Sequence, residues 1–146
     1  MSQIAVVCSK FNKNLVEELY QEAEKEFKEH SQFFSSYYPQ CELKPIWTPG
    51  AGEIPLTVKW IIEQEHKAKS LSSNSNLKAK STEQKPALSH LIGILTLGVI
   101  IKGQTGHYDF LNGFLQKTLW DLQKAYSLPI VFSILLLENR DQAKPR

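Results

Sequence analysis

Residues 97–109 read Leu-Gly-Val-Ile-Ile-Lys-Gly-Gln-Thr-Gly-His-Tyr-Asp, and they hold the side chains best suited to chemistry. An apolar run over 91–97 precedes them and reads as a buried strand. Phe110, Leu111, Phe114, Leu115, Thr118, Leu119 and Leu122 follow at helical spacing. A glycine-rich turn therefore joins a strand to a helix N-terminus. The first amides of a helix lack internal partners, and the helix dipole favours negative charge there. Such a turn can cradle a phosphate. Gly103 and Gly106 would let backbone approach a ligand closely. Thr105 adds a hydroxyl donor. His107 adds an imidazole, the side-chain type that gives and takes protons near neutral pH. A phosphorylated small molecule handled by acid–base chemistry is the first expectation.

A second glycine-rich turn, 48–55, reads Thr-Pro-Gly-Ala-Gly-Glu-Ile-Pro. Pro55 suits a first helical turn. Leu56, Val58, Trp60, Ile61 and Ile62 continue that helix to about Lys69, with apolar content that points to burial on more than one side. A dinucleotide fingerprint would need a further glycine where Pro55 stands, and no acidic residue closes a second strand. A nicotinamide enzyme is excluded.

The elements that must position these turns alternate along the chain. Residues 4–8 form a short β-branched apolar run and read as a central, parallel strand. A loop at 9–12 leads into an amphipathic helix marked by Leu15, Val16, Leu19, Tyr20, Ala23 and Phe27, with Asn14 and Glu17 spaced as a capping box. Residues 30–41 read as a polar and aromatic connection. A second strand over 43–47 contains Pro45, which suits a sheet edge. Residues 70–87 are almost devoid of apolar side chains and read as a disordered or surface insertion in one domain spanning 1–146. A fourth strand covers 129–137. Asn139 and Gln142 then have the spacing of a new helix start, but Pro145 and the last residue, Arg146, leave a terminal helix apparently truncated. The pattern predicts a four-stranded parallel sheet with helices on both faces. Ligands of such sheets gather at the C-terminal strand ends, near the point where strand order reverses.

The totals bound the function. A chain of 146 residues with 42% apolar content can bury a real core, and a net charge of +2 is too small to argue for nucleic acid. Two cysteines, Cys8 and Cys41, without CxxC spacing argue against a zinc site or a disulfide framework. No apolar run approaches membrane-spanning length and no signal peptide is visible. A soluble cytoplasmic protein is expected.

Four segments together resemble one family, lumazine synthase: residues 4–12, 48–55, 97–109, and 128–135 followed by 138–143. The resemblance covers nearly the whole chain outside 70–87. It implies a flavodoxin-like α/β sandwich and a transferase of riboflavin biosynthesis. The reaction it implies condenses 5-amino-6-(D-ribitylamino)uracil with 3,4-dihydroxy-2-butanone 4-phosphate to 6,7-dimethyl-8-ribityllumazine, releasing phosphate. It also implies no metal or organic cofactor, and a homopentamer or a pentamer-based shell with sites between subunits. Two alternatives stay open: a non-catalytic lumazine- or flavin-binding or scaffold member of the same fold, and another small flavin- or phosphate-binding sandwich.

By resemblance, His107 transfers protons. Phe11 stacks on the pyrimidine, while Ala51, Gly52 and Glu53 hold the ribityl-uracil through backbone groups and a carboxylate. Val99, Ile100 and Ile101 wall the pyrimidine pocket, although such residues would be core in any strand. Phe132 comes from the neighbouring subunit. Gln104, Thr105 and the neighbour's Arg146 hold the butanone phosphate, and Lys102 could add charge beside it. Gly52 stands where the family usually carries a larger residue.

Overall fold

The computed structural model describes residues 1–73, 90–104 and 106–143. Four parallel strands form one sheet in the order β2-β1-β3-β4: β1 Ser2–Ser9, β2 Cys41–Thr48, β3 His90–Ile101 and β4 Ile130–Leu137. The helices are α1 (Lys13–Glu29), α2 (Ser31–Ser35), α3 (Ile54–Ser73) and α4 (His107–Tyr126). This is the four-stranded parallel sheet that the sequence pattern predicts, in the flavodoxin-like sandwich that the resemblance implies. No helix among the described residues is long and apolar enough to cross a membrane.

Successive side chains of a strand point to opposite faces, so a central parallel strand must be apolar on both. Ala5 and Val7 join Ile54, Val58, Ile62, Ile94, Leu115, Leu119 and Ile134 on the face covered by α3 and α4. Val6 and Cys8 join Val16, Leu97, Val99 and Leu137 on the face covered by α1. On that second face β4 is only partly covered, with Val131 at 54% and Leu135 at 38% exposure. β2 pairs with β1 alone, so Pro45, which has no N–H to donate, sits on an edge strand as its type demands.

Four expectations need correction. β3 does not stop at Leu97 but runs to Ile101, so the turn begins only at Lys102. Gly98 does not end the strand. It lets β3 pack closely on the α3–α4 face, where an added Cβ would meet Ile134 Cγ2 at 3.4 Å and Ile54 Cδ1 at 3.6 Å. α1 begins after Asn12, in the left-handed conformation with φ 55° and ψ 41°, and not at an Asn14–Glu17 capping box. The connection 30–41 contains the helix α2, pinned by Phe34 stacked on Phe27 of α1 at 5.7 Å. Finally, α3 extends to Ser73, so the polar stretch expected from 70 begins inside a helix; residues 74–89 lie outside the described residues.

The expected helix start near the end of the chain is a short 3-10 turn, Arg140–Ala143. Asn139 Oδ1 accepts the Gln142 N–H at 3.2 Å, as the spacing predicts. The Gln142 side chain reaches back to the N–H of Glu138 at 2.7 Å, one residue earlier than a capping box would have it.

Candidate active site

The strand order reverses between β1 and β3, and the chain ties the C-terminal strand ends together there. The Lys10 N–H donates to the Thr48 carbonyl at 2.8 Å, joining the end of β1 to the end of β2. The Lys102 N–H donates to the Leu137 carbonyl at 2.7 Å, joining β3 to β4. Between the two, the Asn12 side-chain amide donates to the Val99 carbonyl at 2.9 Å. Thr57 in the first turns of α3 donates to the Glu53 carbonyl at 3.0 Å and lies 3.2 Å from the Thr48 hydroxyl, which fixes where α3 starts against β2. These bonds hold separate loops in one register and so preorganise whatever the loops present.

What they present is a cavity of about 540 Å³ at the strand ends. Phe11 enters from the β1 loop and is 71% exposed, a large apolar ring left uncovered by its own chain. Gly50, Ala51, Gly52 and Glu53 come from the β2–α3 turn, and Val99, Ile100 and Ile101 from the end of β3. Gly103, His107, Tyr108 and Leu111 close the side formed by the turn and the start of α4. An apolar slot with few polar groups at its rim is the usual form of a small-molecule site.

His107 is the first residue of α4 and Gly106 its N-cap. The imidazole thus sits at the helix end where unpaired amides and the dipole favour an anion. Neither Gly103 nor Gly106 has positive φ, and a Cβ at either would meet nothing within 4 Å. Their contribution is open space beside the backbone, which is what a close approach by a ligand requires. The ammonium of Lys102 lies 5.9 Å from the centre of the Tyr108 ring, a cation–π distance that keeps positive charge near the cavity.

Comparison with known proteins decides between the sandwich families. The profile described as 6,7-dimethyl-8-ribityllumazine synthase matches residues 1–71 and 78–146. The chain belongs to this lumazine synthase family. A 6,7-dimethyl-8-ribityllumazine synthase of Leuconostoc mesenteroides subsp. mesenteroides is similar to it, 28% identical over 144 residues that span 99% of this chain and 73% of the relative. The chain is thus a member of an enzyme family of riboflavin biosynthesis.

Of the residues assigned by resemblance to lumazine synthase, Phe11, Ala51, Gly52, Glu53, Val99, Ile100, Ile101 and His107 line the single cavity described above. Gln104 is exposed in the turn beside it and is not part of its lining. Phe132 lies on β4, packed against the core on the α3–α4 side and away from the cavity of its own chain. Thr105 and Arg146 lie outside the described residues. Gly50, Tyr108 and Leu111 line the cavity although sequence reasoning did not single them out. Their signal was available: Tyr108 and Leu111 lie one and four positions after His107, on the helix the turn must open. At Gly52 an added Cβ would meet only Leu111 Cδ2, at 3.9 Å, so the cavity is open where a larger side chain would fit.

Proposed function

We propose that this chain is a 6,7-dimethyl-8-ribityllumazine synthase. It would condense 5-amino-6-(D-ribitylamino)uracil with 3,4-dihydroxy-2-butanone 4-phosphate and release orthophosphate. The observation that carries the reading is that loops from three strands and two helix starts converge on one cavity whose side chains suit both reactants. The pyrimidine stacks on Phe11 between the turn at 51–53 and the edge of Val99–Ile101. Glu53 accepts hydrogen bonds from ribityl hydroxyls. The phosphate lies at the turn before α4, where free amides, the helix dipole and Lys102 stabilise its charge.

The reaction asks for little beyond placement and proton movement. The uracil amine attacks the ketone carbon, and one water leaves as the imine forms. Orthophosphate leaves next as its C–O bond breaks, and ring closure releases a second water. Each stage moves a proton to or from nitrogen, carbon or oxygen, and in this reading His107 carries it. Holding two reactants together in a largely apolar slot supplies the rest.

The cavity of one chain leaves Phe11 largely exposed, and α3 and α4 leave Trp60, Phe110 and Trp120 more than half exposed. Such uncovered rings support self-association, and in this reading the assembly is the family's homopentamer, alone or as the unit of a shell. A neighbouring copy would complete each site with Phe132 and Arg146. Small molecules would be its only other partners, without nucleic acid or membrane, and a cytoplasmic location fits such substrates.

Titration with 6,7-dimethyl-8-ribityllumazine, followed by its fluorescence, tests the site. Saturable binding that the ribitylaminouracil competes away and that Phe11→Ala abolishes is expected. Absence of binding, or equal binding by Phe11→Ala, would overturn the assignment.

A further inference from the structure

The hydrogen-bonded ladder between β1 and β3 ends at the pair Cys8 and Leu97, two residues before Val99. β3 runs on to Ile101 without β1 beside it. The Val99 carbonyl is nevertheless taken by a donor from the β1 side, the Asn12 side-chain amide at 2.9 Å, across 87 residues of chain. A side chain thus stands in for the next backbone rung.

Asn12 does two further things. Its left-handed backbone, φ 55° and ψ 41°, turns the chain immediately after Phe11. Asparagine is among the few residues with a side chain that adopt this conformation readily. Its carbonyl accepts the N–H groups of Leu15 and Val16 at 3.0 and 3.2 Å and so opens α1. One residue therefore fixes the exposed ring on one wall of the cavity, Phe11, and the strand edge on the other, Val99. Asn12 itself does not line the cavity.

We propose that Asn12 is a positioning residue that sets the gap between Phe11 and the Val99 edge, and hence the grip on the planar heterocycle. Its substrate readout rests on the lumazine synthase reading above. The strut acts on the pyrimidine half of the site and leaves the anion half, at the start of α4, untouched.

Two variants separate the parts of the residue. Asn12→Gly keeps the left-handed turn and removes the strut. Asn12→Asp keeps the shape and replaces the donor with an acceptor facing a carbonyl. Both are expected to raise KM for the ribitylaminouracil about tenfold, the equivalent of one lost hydrogen bond in a binding geometry. KM for the butanone phosphate should change less than about twofold, since the energy of one local contact does not spread to a site with no shared partner.

A second readout needs no substrate. With para-fluorophenylalanine at position 11, the fluorine NMR signal should shift and narrow in Asn12→Gly as the ring gains freedom. An unchanged signal overturns the strut, as do parental KM values, an equal rise of both, or a loss seen only in thermal stability. A changed signal in a protein that forms no lumazine would uphold the strut and overturn the function reading instead.

Discussion

The carboxylate of Glu53 occupies the space where a side chain on Gly50 would begin: a Cβ at position 50 would lie 2.9 Å from Glu53 Oε2. Gly50 is extended, with φ −149° and ψ 177°, a conformation any residue adopts. The glycine is needed for the neighbour's carboxylate and not for its own backbone. Gly50→Ala should therefore displace Glu53 with little change in stability, within about 0.5 kcal/mol, because a flexible side-chain end gives way. KM for the ribitylaminouracil should rise several-fold. Gly52→Ala, two residues on, has room and should leave both quantities near the parent's. Steady-state kinetics and thermal melts on the pair check this.

His107 stands at the head of α4, with the cavity on one side and the anion-favouring turn on the other. His107→Ala should lower kcat by roughly a hundredfold, the lower end of what positioned acid–base groups supply, because juxtaposition of the reactants survives. Thr105→Ala should instead raise KM for the butanone phosphate and spare kcat. Measuring both parameters for both variants separates the two roles. Parental kinetics in both would reject them.

Leu115 is fully buried one helical turn beyond Leu111, under the cavity, among Ile54, Val58 and Ile134. Leu115→Ala should destabilise by about 2–5 kcal/mol, the sum of lost burial and a residual void. Denaturant unfolding measures the loss.

Cys8 is fully buried in β1, and burial raises its thiol from about 9.0 to about 11. The sign follows from proton counts. Below pH 9 both folded and unfolded states hold the proton. Between pH 9 and 11 the unfolded chain loses it and the folded chain does not, so the unfolded state gains. Stability should fall as pH rises through that window, by on the order of 2 kcal/mol from this group. Unfolding curves at pH 8 and pH 11 should differ less in Cys8→Ala than in the parent by that amount.

Much of the fold was legible because parallel strands advertise themselves as unbroken apolar runs, as in 4–8 and 129–137. The position of Pro45 marked the sheet edge. The apolar run read as 91–97 continues to Ile101, with Gly98 inside the strand at a close contact with Ile134. Asn14 misled because capping-box spacing says nothing about which asparagine takes the left-handed turn. The helix α2 was hidden because Phe27 and Phe34 meet through tertiary stacking, not through a periodic stripe.

Of the cavity lining, Gly103 and His107 drew attention by residue type and spacing, whereas Glu53 entered only through the family resemblance. Tyr108 and Leu111 follow His107 at helical spacing, but that they and Gly50 line the cavity depends on how α4 and the β2–α3 turn converge. Asn12 was legible as part of a loop, but its bond to Val99 spans a distance in sequence that no local pattern encodes.

The most direct measurement mixes purified protein with both reactants and follows lumazine fluorescence and orthophosphate together. Equal amounts of the two products, formed well above the uncatalysed rate and slowed in His107→Ala, are the expected result. Lumazine bound without being formed, or formation no faster than without protein, would contradict the catalytic account.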